Sequence, residues 1–122
     1  MGDYIKPTQA YKKLEAAKLL RQSVYIYAAL GYGKTELIHQ YFRNKKYIFI
    51  PCQQNFCDLS LIPDGYTDAV VIDNVNAIED EEIRNSIVSL FNRKQIWLII
   101  TGRSKMPSWL FDSFVKRNMM LI

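Results

Sequence analysis

Gly31-Tyr32-Gly33-Lys34-Thr35 puts two flexible residues, an amine and a hydroxyl into one short stretch. That set suits a phosphate chain. Backbone N–H groups at a helix start face the β-phosphate, a lysine reaches the β and γ oxygens, and the adjacent hydroxyl ligates Mg²⁺. Tyr32 lies between the glycines and contributes backbone to the cradle. The strict pattern asks for a further glycine where this chain has Ala28. Alanine is the smallest replacement that carries a Cβ, so the departure is mild. The competing reading is a strand-to-helix turn in which glycine only relieves strain.

Two further residues have types that fit the same chemistry. Asp73 ends the apolar run Ala69-Val70-Val71-Ile72, the place of a carboxylate that holds Mg²⁺, usually through water; otherwise it is a strand-end turn cap. The next residue is Asn74. An acidic side chain there would polarise an attacking water, and a neutral amide cannot take that proton. Arg103 follows Thr101-Gly102 and offers a planar fork of donors to a pair of phosphate oxygens, as a sensor of the γ-phosphate. Its competing reading is a surface arginine beside Lys105. No serine–histidine or cysteine–histidine pairing points to nucleophilic catalysis, and the single histidine, His39, reads as an ordinary polar helix position.

The elements that must position these residues follow from periodicity. Ala10, Leu14, Ala17 and Leu20 predict a helix opening near Thr8. A first strand follows at about 23–28, and Leu37, Ile38, Tyr41 and Phe42 give the loop helix its apolar face. Tyr47-Ile48-Phe49-Ile50 reads as strand two, stopped by Pro51. Residues 52–68 have no sustained period, only the turn signal Pro63-Asp64-Gly65. The run at 69–73 has the β-branched residues Val70, Val71 and Ile72 in succession, as in a strand buried on both faces. Asp80, Glu81 and Glu82 open a helix with Ile83, Ile87, Leu90 and Phe91 inward, and Arg93-Lys94 close it. Strand four spans Ile96–Thr101; Ser108 caps a helix to about Arg117, with Leu110, Phe111, Phe114 and Val115 inward, and Met119–Ile122 begin strand five.

Strands alternating with helices predict an α/β fold, a parallel five-stranded sheet flanked by helices, because parallel neighbours need crossovers. Ligands in such sheets bind beyond the carboxyl ends of the strands. The loop, Asp73 and Arg103 all follow strand ends and are expected to share one edge.

The chain has 122 residues and reads as one domain over 1–122. A net charge of +4, from dispersed residues, is a weak footprint for nucleic acid. Cys52 and Cys57, with four residues between them, support neither a zinc site nor a disulfide framework and read as reduced thiols. With no stretch long enough to span a membrane and no leader-like start, a cytoplasmic location without membrane contact is expected.

"AALGYGKTELIHQY", "AVVIDNVNAI" and "IWLIITGRSKMPSWL" resemble the loop, Walker B strand and following strand of the signal-transduction ATPases with numerous domains, the STAND proteins. They are most similar to the large LuxR-type, MalT-like transcriptional regulators, in which the first loop glycine is often replaced. The resemblance covers roughly residues 5–122. It implies an ASCE-type P-loop core with sheet order 5-1-4-3-2 and an ATP/ADP switch using Mg²⁺. By that resemblance Gly31, Gly33, Lys34 and Thr35 form the phosphate loop, Asp73 with Thr35 holds Mg²⁺, and Arg103 is the sensor. Asn74 departs from the acidic residue usual there, so hydrolysis is expected to be slow or absent. The family's winged-helix, sensor and DNA-binding domains are expected outside this chain, with DNA contacted only through them and self-association favoured by ATP. The rivals are a degenerate P-loop scaffold for protein interaction and a small P-loop kinase, whose arginine-rich lid and acceptor site residues 52–68 do not offer.

Overall fold

The β-branched run at 69–73 needs apolar cover on both faces, and its place inside a parallel sheet provides it. In this computed structural model β1 (Val24–Tyr27), β2 (Tyr47–Pro51), β3 (Ala69–Asp73) and β4 (Trp97–Gly102) run parallel in the order β2-β3-β4-β1. The structure describes residues 7–20, 22–27, 34–66, 68–93, 95–110 and 120–121, with side chains undescribed at 7–10, 34, 35, 120 and 121.

A short β5 (Met120–Leu121) pairs in parallel with β1 through Val24 and Tyr25. Met120 and Leu121 are the described residues of the fifth strand expected over Met119–Ile122, whose two end residues lie outside the described residues; the four longer strands stand in the order 1-4-3-2. Pro51 ends β2 from inside it, in register with Asp73. An edge strand tolerates a residue that lacks an N–H.

Side-chain alternation divides the interior into two cores. On one face Val24, Ile26, Ala69, Val71, Trp97 and Ile99 meet Leu14 and Ala17 of α1 (Pro7–Leu20) and Ile38 and Tyr41 of α2 (Lys34–Tyr41), with Phe42 just beyond it. On the other, Tyr25, Ile50, Val70, Ile72, Leu98 and Ile100 pack against Ile87 of α3 (Glu81–Ser89) and Leu110. Leu90 and Phe91 also face this core, from a 3₁₀ turn that follows α3. Residues 108–110 are helical; Phe111, Phe114, Val115 and the expected end at Arg117 lie outside the described residues.

Three local outcomes differ from the periodicity. Leu20 is 66% exposed and Leu19 84% exposed, because the inward stripe of α1 ends at Ala17. Residues 52–66 are not an open loop. Cys52, Cys57, Ile62 and Tyr66 are buried in the second core. The neighbouring Cys57 and burial together push the Cys52 thiol pKa up. His39 is exposed but partnered: its Nδ1 lies 2.6 Å from the Tyr47 hydroxyl and its ring leans on Phe49.

Candidate functional site

Parallel register carries all four strand ends to one edge. Ile72 is opposite Ile100, Pro51 is opposite Asp73, and Ile26 is opposite Thr101. Asp73 and Thr101 therefore fall in one row across the sheet. Their alternation, two residues beyond Val71 and Ile99, sets them on the side that α1 and α2 cover. Helix α2 starts at Lys34 on that same side, and position 34 lies one turn before Ile38.

The three polar groups at the centre are linked. The Thr101 hydroxyl donates to Asp73 Oδ1 at 2.7 Å and accepts the Asn74 backbone N–H at 2.9 Å. Thr101 is fully buried. A hydrogen bond to an ionised group contributes about 1.5–3 kcal/mol, so this bridge holds the carboxylate in one orientation.

Asn74 has φ 62° and ψ 52°, a left-handed conformation. Asparagine enters that region readily, whereas other residues with a Cβ pay about 1–2 kcal/mol. The geometry thus favours Asn at 74 on backbone grounds as well as leaving the position uncharged. Its Oδ1 is buried and has no hydrogen-bond partner. A lone buried acceptor costs about 1–3 kcal/mol unless a donor arrives. Beside a strand-end carboxylate, that orphan acceptor suits a water of a hydrated cation, and the hard carboxylate oxygens of Asp73 suit Mg²⁺ in particular.

Arg103 is exposed, and its backbone is fixed from below. Asn76 Oδ1 accepts the Arg103 N–H at 2.7 Å while Asn76 Nδ2 donates to Ser104 Oγ at 2.9 Å. From β1, the Tyr25 hydroxyl donates to the Ser104 carbonyl at 2.9 Å. Burial pushes the Tyr25 phenol up to about 12. Gly102 is required for this approach: a Cβ there would sit 1.9 Å from the Tyr25 hydroxyl oxygen and 2.7 Å from Asn76 Oδ1. Tyr25, Asn76 and Gly102 form a clamp that joins the strand leading to the glycine loop, the turn after Asp73 and the turn carrying Arg103.

The structure thus places Asp73 and the turn of Arg103 at one sheet edge, Asp73 on the sheet face that α2 covers. Gly31, Tyr32 and Gly33 lie outside the described residues, and Lys34 and Thr35 are placed only as the first two positions of α2. Sequence reasoning assigned no task to Thr101, Asn76 or Tyr25. For Thr101 the signal was present as a polar residue in an apolar strand, in phase with Ile99.

No protein-family profile matches the chain, and no curated protein matches it. Solved structures do. A chain in the structure of Drosophila ORC bound to DNA superposes with a TM-score of 0.67 at 11% identity, over 95% of this chain and 87% of that one. One in the structure of Drosophila ORC bound to AT-rich DNA and Cdc6 gives 0.66 at 12% identity, over 95% and 53%. The structure of C. elegans PCH-2 gives 0.50 at 13% identity, over 94% and 41%. These are AAA+ ATPases of the P-loop class, and this chain is similar to their α/β domains in fold. At such identities the likeness is one of fold alone.

Proposed function

We propose that this chain is a nucleotide-binding domain that holds ATP or ADP with Mg²⁺ and works as a switch, with slow or no hydrolysis. The observation that carries the reading is the Asp73–Thr101–Asn74 bridge, set on the sheet face from which the GYGKT helix starts. Lys34 would neutralise β/γ oxygens, Thr35 and Asp73 would hold the cation, and the Arg103 fork would meet the γ-phosphate. The AAA+-like fold supports nucleotide binding in general.

The finer assignment, to a LuxR-type STAND regulator, rests on the three sequence segments that resemble that family. ATP-favoured self-association and DNA contact through a further domain belong to this finer proposal. A switch needs unequal affinity: reversing a two-state population from about 1:99 to 99:1 takes about 5.5 kcal/mol. Contacts available only to ATP, through Arg103, are where that difference would arise.

The scaffold alternative draws on Asn74, whose amide cannot serve as a base. The kinase alternative loses ground because Ile62 and Tyr66 pack residues 52–66 into the core, where no lid could swing. Displacement of a fluorescent ADP analogue decides between binding and scaffold. Displacement by ATP should require Mg²⁺ in the wild type and lose most of that requirement in Asp73→Asn; a wild type that never takes up the analogue makes the chain a scaffold. Brisk phosphate release that survives Asn74→Ala would contradict the slow-hydrolysis assignment.

A further inference from the structure

Cys52 and Cys57 flank a tight hairpin. Gln53 and Phe56 exchange both backbone hydrogen bonds, each 2.9 Å. Between them Gln54 and Asn55 have φ of 49° and 63°, the paired left-handed conformations of a type I′ turn. The next pair outward from one that exchanges both bonds is a non-hydrogen-bonded pair, with Cα atoms about 4.5 Å apart and side chains opposed. Here that pair is Cys52 and Cys57. A disulfide asks for Cα atoms about 4.4–6.8 Å apart and converging Cβ atoms, the range that a regular hairpin of this kind sets for the pair flanking its turn.

Both sides of the hairpin are anchored. The Cys52 N–H donates to the Asp73 carbonyl at 2.9 Å. At the tip, Asn55 Oδ1 accepts the backbone N–H groups of Glu79 and Asp80, the latter at 2.7 Å. The two side chains lie in the same core cluster. This arrangement is invisible in the spacing, which by itself argues for no disulfide.

We propose that Cys52 and Cys57 form a dithiol modification site that closes to an intrachain disulfide when it meets a low-molecular-weight disulfide such as oxidised glutathione. Cys57, 5% exposed against 1% for Cys52, is the sulfur the oxidant meets first. Its thiolate attacks one sulfur of the oxidant, the oxidant's S–S bond breaks, and one glutathione thiolate leaves. The Cys52 thiolate then attacks the Cys57 sulfur and expels the second glutathione. The two protein thiols are oxidised, one oxidant disulfide is reduced to two thiols, and the two protein protons end on them. The proposal does not depend on nucleotide binding.

Equilibration of the whole chain in glutathione redox buffers, with acid quench, alkylation and peptide mapping, tests it. The expected product is a monomer lighter by two hydrogens, with Cys52 joined to Cys57 and no alkylation at either. Its disulfide should be favoured over that of the urea-unfolded chain by about tenfold or more, which is about 30 mV in reduction potential. In Cys52→Ser a glutathione adduct on Cys57 should replace the internal bond. If that variant does not fold, the wild-type map and the folded-against-unfolded comparison still decide. Thiols that stay alkylatable, glutathione adducts or intermolecular dimers as the only products, or equal potentials in folded and unfolded chains would overturn the proposal.

Discussion

The Thr101 hydroxyl bridges a carboxylate and a backbone N–H, so its removal affects both partners at once. Thr101→Val keeps the shape and leaves the Asn74 N–H without its acceptor. A loss of about 1–3 kcal/mol is expected in urea unfolding, with Thr101→Ser recovering most of it. Gly102→Ala works by crowding instead. Its new Cβ would overlap the Tyr25 hydroxyl, and an overpacked site costs about 1–3 kcal/mol. Tyr25 also gives the fold an alkaline limit. Its phenol is raised by burial to about 12 in the fold, against about 10 in the unfolded chain. The neutral form is the one the fold favours, so this contribution is complete below about pH 10 and lost as pH rises through about 12. Stability of the wild type should therefore fall more steeply across that window than that of Tyr25→Phe. Tyr41, raised by burial and by Glu15, adds its own loss to both proteins.

At the scale of elements, helix α3 depends on its cap. Asp80 accepts the Ile83 N–H at 3.1 Å, with Glu81 and Glu82 in the first turn. Asp80→Ala should cost about 1 kcal/mol in thermal or urea unfolding, the usual worth of such a cap. This helix was legible in the sequence because its acidic start, its apolar stripe and the buried run of β3 all agree. The end of α1 was not. Leu20 fits the helical period from Ala17, but it is exposed with no described residue packed over it, and a period records only which residues could face inward. Residues 52–66 escaped for a different reason. Their hairpin and 3₁₀ turn bury Cys52, Cys57, Ile62 and Tyr66 at irregular spacing, and irregular backbone leaves no period to read.

For the whole molecule, strand parity decides what the edge can do. Asp73 and Thr101 share a row on the sheet face that α2 covers, while Tyr25 and Gly102 support the Arg103 turn together with Asn76. The strand ends could be read from the sequence, since each closes an apolar run. The Thr101 bridge and the Tyr25–Asn76 clamp could not, because both join residues from separate elements that only folding brings into register. If the edge binds a nucleotide, the ligand must stabilise the fold by mass action, by about 2.7 kcal/mol at a hundred times its Kd. The most direct measurement is calorimetric titration of Mg-ATP and Mg-ADP into the wild type and into Lys34→Ala. Saturable, Mg²⁺-dependent binding that weakens by about 1.5–3 kcal/mol in the variant, the worth of a hydrogen bond to a charged group, is the predicted result. A wild type that binds neither nucleotide, or a variant that binds as tightly as the wild type, would contradict the account.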